Sequence, residues 1–350
     1  MGRKIREESV SPLLPLPRRR LGRSDIEVSV LGFGGAPLGD LYALLDDGDA
    51  IATVAAAHQA GITLFDTSPL YGHGLSEHRF GTALCRVPRE SFVLSTKVGR
   101  WMDPRQPRAG ETRYLGGFPH RAVVDYSYDG TMRAFEQSLL RLGLDRVDIL
   151  LIHDVDVWTH GAGAIDARFR EAMDGAYRAM AGLREQRVIR AIGIGVNEAE
   201  MCERFARAGD FDVMLLAGRY SLLEQPALAR FLPLALEKRI GIMLGGVFNS
   251  GILATGAVPG ARYNYRPPPP DMLRRVARME AVCRAHGTEI AHVALHFPLG
   301  HPAVSALVLG SVVPDEVRRN VAAFARPVPP AVWADLKSER LLDEAVPTPD

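Results

Sequence analysis

The sequence predicts an α/β protein folded as a single (β/α)8 TIM barrel, with a short N-terminal β-hairpin and long βα loops at the C-terminal face. Three observations carry that expectation. Short β-rich runs alternate with longer segments of helical spacing, eight of each, from about residue 18 to about residue 323. An open doubly wound sheet of this length usually has fewer strands. Several runs, such as Ile149-Leu150-Leu151-Ile152, are apolar at consecutive positions, so both of their faces need cover, as in parallel strands lying under helices. No Ser/Gly-rich linker interrupts the alternation, and 350 residues at 47% hydrophobic content can bury one large core.

Taken in order, residues 1–17 mix Arg3, Lys4, Arg6, Glu7 and Glu8 with Pro12, Pro15 and Pro17. They lack the apolar core and cleavage site of a secretory signal and are expected to be a disordered tail. Residues 21–26 carry tight-turn chemistry, which places the hairpin ahead of the barrel. Strands are expected at 28–34, 62–66, 92–96, 147–152, 189–195, 213–217, 240–244 and 306–309. Helices are expected at 50–60, 76–84, 131–142, 172–186, 199–208, 226–238, 272–286 and 314–323. The barrel then occupies 18–330, with 331–350 as a C-terminal extension. The long intervals 98–130, 153–170 and 246–271 each follow a strand, which puts them on the face where barrels build their sites.

Composition narrows the function. Lys plus Arg number 42 against 41 Asp plus Glu, a net charge of +1, so no global field recruits nucleic acid or an anionic membrane. The longest apolar stretch, 240–248, falls well short of the ~20 residues of a membrane helix. Cys85, Cys202 and Cys283 are odd in number and widely spaced, which suits a reducing, cytoplasmic setting and argues against a disulfide framework or thiolate metal site. His292 and His296 sit four apart, but Val293 stands where a zinc protease has its Glu, so the pair reads as structural and no metal is expected. Gly32-Phe33-Gly34-Gly35 lacks the glycine spacing of a dinucleotide fingerprint and reads as a strand-end turn. Pro267 to Pro270 reads as a stiff entry to a helix. Oligomeric state is left open.

Polar residues at the C-terminal ends of successive strands carry the chemistry. Asp66 follows strand two, Lys97 strand three, His153 strand four and Asn197 strand five, and all converge on one mouth. Tyr71 lies five residues past Asp66, close enough for a short loop to fold its phenol over the same opening. A phenol is a poor base at neutral pH, but a neighbouring ammonium such as Lys97 favours the phenolate. Asp66 would orient that ammonium, and His153 would position a substrate oxygen. Each residue also has an ordinary reading: Asp as a turn or cap, Tyr as packing, Lys as surface. Their joint occurrence at successive strand ends favours chemistry. Trp101 and Trp158, on the loops after strands three and four, are candidate platforms for a flat or ring-shaped substrate.

In the segments 65–72, 94–97, 148–153 and 192–197 the chain resembles the aldo-keto reductases, with the motifs in that family's order across roughly residues 18–325. The resemblance implies a nicotinamide cofactor extended across the C-terminal face and an Asp66, Tyr71, Lys97 and His153 tetrad with Tyr71 transferring the proton. It implies cofactor contacts from Asn197, Ser250, Leu253, Gly310, Ser311, Glu316 and Asn320, although Val196 and Ala217 stand where relatives often have Ser and Gln. Glu316 occupies a position where enzymes requiring NADP often place a cation for the 2′-phosphate, so NAD is expected ahead of NADP. Segments 124–130, 152–161 and 248–253 resemble the branch that oxidises aldoses of L-fucose or D-threo type, or pyridoxal, at a cyclic hemiacetal carbon. The substrate is therefore expected to be a small sugar or pyridoxal-type molecule. A general aldehyde or ketone reductase and a non-catalytic regulatory subunit that binds cofactor are the competing expectations.

Overall fold

The computed structural model describes residues 15–107, 114–264 and 266–349, so most of the tail expected at 1–17 lies outside the described residues. The strands are β1 Arg18–Arg20, β2 Glu27–Ser29, β3 Leu31–Gly34, β4 Leu64–Asp66, β5 Val93–Val98, β6 Arg100–Pro107, β7 His120–Val124, β8 Ile149–His153, β9 Ala191–Val196, β10 Val213–Ala217, β11 Gly241–Gly245 and β12 Val304–Gly310. Eight of them close in parallel in the order β3, β4, β5, β8, β9, β10, β11, β12, with Leu307 to Gly310 of β12 paired to Leu31 to Gly34 of β3. The chain is a closed (β/α)8 barrel.

The helices are α1 Asp47–Gln59, α2 Leu75–Leu84, α3 Tyr128–Leu142, α4 Val157–His160, α5 Ile165–Glu171, α6 Arg178–Glu185, α7 Ala199–Ala208, α8 Phe231–Glu237, α9 Ile252–Thr255, α10 Pro270–Ala285, α11 Ile290–His296, α12 Pro314–Phe324 and α13 Pro330–Ser338. A wide π turn over Ala172–Tyr177 joins α5 to α6. Caps follow local chemistry: Asp46, Ser127 and Asp156 each accept a backbone N–H in the first turn of α1, α3 and α4. Pro270 and Pro314 begin their helices, where a missing N–H costs nothing.

Two-residue alternation sorts each strand into an inner and an outer set. Leu64, Val93, Ile149, Leu151, Val213, Leu215, Met243 and Val308 form one buried cluster inside the barrel, joined by Leu21, Ile26 and Val28 of the hairpin that plugs its floor. Phe65, Leu94, Leu150, Ile152, Ile192, Leu216 and Leu244 belong to the second cluster, with the helices.

The expected strand at 28–34 divides in two. Val30 donates its N–H to the Pro17 carbonyl, and β2 leaves to pair antiparallel with β1 before β3 enters the barrel. The interval 98–130 is not all loop, because β6 and β7 pair as an antiparallel hairpin within it. Pro104, Pro107 and three charged residues hide β6 from any pattern of alternation. Helices α4 and α5, which start within 153–170, α9 within 246–271, and α11 and α13 are likewise additional. Within 331–350, Val332, Trp333, Leu336, Leu341 and Leu342 are buried against the core, and Arg275 of α10 donates to the Leu341 carbonyl. His292 is buried between Thr288 and the Arg326 carbonyl, while His296 stacks on Phe324, so the pair serves packing. Among the described residues no helix is long and apolar enough to cross a membrane.

The hairpin turn is seated tightly. Gly22 has φ 55°, and a Cβ there would lie 2.3 Å from the Gly241 nitrogen at the start of β11. Gly22→Ala combines a left-handed backbone with overpacking, and it should lower unfolding free energy by about 2–4 kcal/mol in urea denaturation.

Candidate active site

Strand parity delivers the first three site residues. Asp66 shares the inner face of β4 with Leu64, Lys97 that of β5 with Val93 and Ser95, and His153 that of β8 with Ile149 and Leu151. All three side chains therefore point into the mouth. Lys97 is 1% exposed and donates from Nζ to Asp66 Oδ2 at 2.6 Å and to the Thr67 carbonyl at 2.8 Å. Ser95 donates to the other carboxylate oxygen at 2.9 Å. Burial pushes the Asp66 carboxyl above its ordinary range, against the opposing pull of the Lys97 ammonium and the Ser95 hydroxyl.

Tyr71 reaches the same point from the loop after β4. Its turn is fixed by Gly72 at φ 62°, where a Cβ would lie 2.7 Å from the Gly39 carbonyl of the preceding loop. That loop is anchored in turn by buried Arg79, paired to Asp40 at 2.8 Å and Asp47 at 2.6 Å. The Lys97 ammonium lies 4.8 Å from the Tyr71 ring centroid, and the His153 imidazole meets the Tyr71 ring edge to face at 5.8 Å. His153 Nδ1 is 3.1 Å from the Ser68 hydroxyl. Its carbonyl accepts from the Tyr126 hydroxyl at 2.9 Å, and burial raises the Tyr126 phenol so that it remains a donor.

A cavity of about 80 Å³ lies over Tyr71, Lys97 and His153, walled also by Asp154, Asn197, Tyr114 and Leu215. It shares Tyr71, Asn197 and Ala217 with a cavity of about 210 Å³ that includes Trp158, Arg219, Ser250 and Gly310. A third, of about 940 Å³, shares Tyr42, Gly246, Ser250 and Gly310 with the second and adds Ser311, Glu316, Arg319, Asn320 and Arg326. Together they make a trench from the barrel centre to the start of α12. Its glycines Gly218, Gly245 and Gly246 leave backbone open to close approach, whereas Gly34 and Gly35 give room to Val308 and Phe80. The shared lining residues make the three cavities continuous, and their polar and glycine-rich walls suit an extended dinucleotide.

Not every expected contact lies on this trench. Leu253 is fully buried in α9, and Trp101 is not among the residues lining the three cavities. Trp101 donates its indole N–H to Asp125 at 3.2 Å and carries the Arg133 guanidinium 4.4 Å above its ring. Trp158 is 46% exposed at the rim, with its backbone N–H held by Glu198 at 2.8 Å. Asn197 receives its order from Asp156, which accepts its backbone N–H at 3.2 Å.

Reasoning from strand ends overlooked Asp154, Arg100 and Arg219. Asp154 directly follows His153 and Arg100 falls three residues after Lys97, so the positions could have raised them. Arg219 bridges the loops: it donates to the Asn197 carbonyl at 2.9 Å, Glu224 at 3.1 Å and Asn264 at 3.3 Å.

A parallel barrel with a lysine–carboxylate pair, a phenol and an imidazole at its mouth, opening on a continuous glycine-lined trench, is an arrangement for oxidoreduction. The chain belongs to the aldo/keto reductase family, whose sequence model matches residues 30–340. It is 39% identical over 337 residues to a pyridoxal 4-dehydrogenase of Microbacterium luteolum, covering 93% of this chain and 98% of that one. It is 37% identical over 330 residues to a D-threo-aldose 1-dehydrogenase of a Pseudomonas species, covering 93% and 96%. Among solved structures it resembles an aldo-keto reductase of Bacillus halodurans in its holo form, with a TM-score of 0.72 and 25% identity over 95% of this chain and 98% of that one.

Lys97→Met leaves the buried Asp66 carboxyl without its cation, so protonation becomes its cheapest state. A carboxyl whose folded-state pKa is raised contributes stability at low pH that is lost as the pH climbs through that pKa. The gap in unfolding free energy between parent and Lys97→Met should therefore widen from pH 5 to pH 8 in urea titrations. Adding Asp66→Asn should remove the widening.

Proposed function

We propose that the protein is an NAD-dependent dehydrogenase that oxidises the hemiacetal carbon of an aldose of L-fucose or D-threo type to a lactone, in the cytoplasm. The observation that carries the reading is the meeting of Asp66, Lys97, Tyr71 and His153 at the buried end of a continuous trench across the barrel mouth. Two relatives at 37% and 39% identity, named for oxidation of an aldose and of pyridoxal, support the substrate class. The free thiols Cys85, Cys202 and Cys283 suit a reducing compartment.

A nicotinamide cofactor held along Asn197, Ser250, Gly310, Ser311 and Asn320 would supply the hydride acceptor for the hemiacetal carbon. Tyr71 takes the proton from the hydroxyl on that carbon. The Lys97 ammonium beside its ring favours the phenolate needed for that step, and Asp66 fixes the ammonium in direction. His153, with Nδ1 against Ser68, turns Nε2 toward the reacting oxygen. Trp158 and the apolar wall of Leu41, Leu70 and Leu215 cover the face of a ring. Asn197, Ser250, Gly310, Ser311 and Asn320 line the length of the cofactor trench.

The 39% identical relative favours pyridoxal as a second reading. Following NADH formation with L-fucose, D-arabinose and pyridoxal, and NADH consumption with simple aldehydes, separates these readings. Turnover of open-chain aldehydes alone marks a general reductase. Cofactor binding without turnover marks a regulatory subunit.

Tyr71→Phe removes the proton-transfer group but keeps the ring, so kcat should fall on the order of 10²–10⁴-fold while NAD affinity, followed by protein fluorescence, stays close to the parent's. Near-parental oxidation would remove Tyr71 from the mechanism.

Glu316 sits at the start of α12, where Oε2 accepts the Val312 N–H at 2.8 Å, and its carboxylate lines the far cavity. A negative charge there repels a 2′-phosphate and can accept a bond from a free 2′-hydroxyl. The parent should prefer NAD over NADP in kcat/KM by tenfold or more, about 1.4 kcal/mol, and Glu316→Arg should shift the ratio toward NADP. A parental preference for NADP would instead make Arg319 and Arg326, on the same cavity wall, the phosphate ligands.

A further inference from the structure

Asp154 has no part in the scheme above, yet it stands at the reacting end of the trench. It is 6% exposed and lines the small cavity with Tyr71, Lys97 and His153. Its Oδ2 pairs with Arg100 Nη1 at 3.2 Å, and its Oδ1 lies 3.4 Å from His153 Nε2. The backbone is held at φ 52°, left-handed for a residue with a side chain, by an N–H donated to the Gly195 carbonyl at 2.9 Å. Strain of this kind costs free energy and concentrates where a side chain must be aimed. Arg100 is itself 6% exposed and is supplied by the first residue of β6. A buried ion pair seldom stabilises a fold better than apolar residues of the same volume would, so its place on a cavity wall needs a reason beyond packing.

Geometry supplies one. His153 Nε2, assigned above to the reacting oxygen, has the Asp154 Oδ1 acceptor 3.4 Å away on the wall of the same cavity. Neighbouring oxygens on a sugar ring are separated by a similar distance. A ring placed with its reacting hydroxyl at Tyr71 and His153 presents the hydroxyl of the adjacent carbon inside the same small cavity, whose wall Asp154 shares. Arg100 neutralises the carboxylate without occupying Oδ1, whose lone pairs outnumber its contact with His153.

We propose that Asp154 is a specificity residue whose carboxylate accepts a hydrogen bond from the hydroxyl on the carbon next to the reacting carbon, selecting cyclic polyols over aldehydes that lack it. The proposal rests on the dehydrogenase reading above and adds a substrate contact to it.

The test compares L-fucose with 2-deoxy-L-fucose at saturating NAD. A hydrogen bond to a charged group favours L-fucose by roughly 10–100-fold in kcat/KM in the parent. In Asp154→Asn the amide tolerates the same backbone, and the positive charge of Arg100 beside Oδ2 favours the carbonyl on that side, so an NH2 donor replaces the acceptor. The preference should then shrink to within about threefold. Equal kcat/KM for the two sugars in the parent overturns the role of Asp154 and leaves the dehydrogenase reading standing, and this comparison needs no variant to fold. An equal loss on both sugars in Asp154→Asn also overturns it, since that marks a residue that only positions His153. Failure of the parent to oxidise either sugar overturns both readings.

Discussion

Closure of the sheet is the constraint from which the rest of the structure follows. Once β12 pairs with β3, none of the eight barrel strands has an exposed edge and each of their C-terminal ends is brought to one mouth. Closure also creates an interior that must be filled, and the two-residue alternation fills it with Leu64, Val93, Ile149, Leu151, Val213 and Met243. The floor remains open to water unless something covers it. The β1–β2 hairpin does so with Leu21, Ile26 and Val28. At the other end the same alternation continues into Asp66, Lys97 and His153, so core and site are successive layers of one inner face.

Charge is taken out of water at the mouth in a consistent manner. Lys97 meets Asp66, Arg100 meets Asp154, Arg79 meets Asp40, and Arg141 meets Glu77, each pair with both side chains largely buried. Such pairs add little net stability, because desolvation offsets most of the attraction. They fix direction instead. Glu77 accepts from Thr96 of β5 at 2.6 Å as well as from Arg141 of α3 at 2.6 Å, and so locks α2 beneath the loop that carries Tyr71. Arg219 does comparable work across the trench, where it ties the loops after β9, β10 and β11.

The two ends of the trench have different chemistry. Around Tyr71 the groups are buried, paired and set by strand register, which suits a reaction whose proton must move over a short, fixed distance. Toward α12 the walls are helix termini and longer, more exposed side chains such as Arg319 and Arg326, which suit recognition of a cofactor's far end. On the proposed function, selectivity between cofactors can thus change without disturbing the groups around Tyr71.

Alternation and spacing are local properties, and what depends on them was legible in the sequence. The eight barrel strands, the hairpin turn at its floor and the inward parity of Asp66, Lys97 and His153 all follow from residues a few positions apart. Strand β6 was not legible, because its prolines and charges mask a pairing held by β7 some twenty residues on. Nor could local pattern distinguish Trp158, at the rim of the trench, from Trp101, packed on its own hairpin against Asp125 and Arg133. The meeting of Arg100 with Asp154, like that of Gly72 with Gly39, joins loops from different strands. Only a closed barrel brings those loops to a common rim, so only the tertiary structure decided which of the candidate side chains touch.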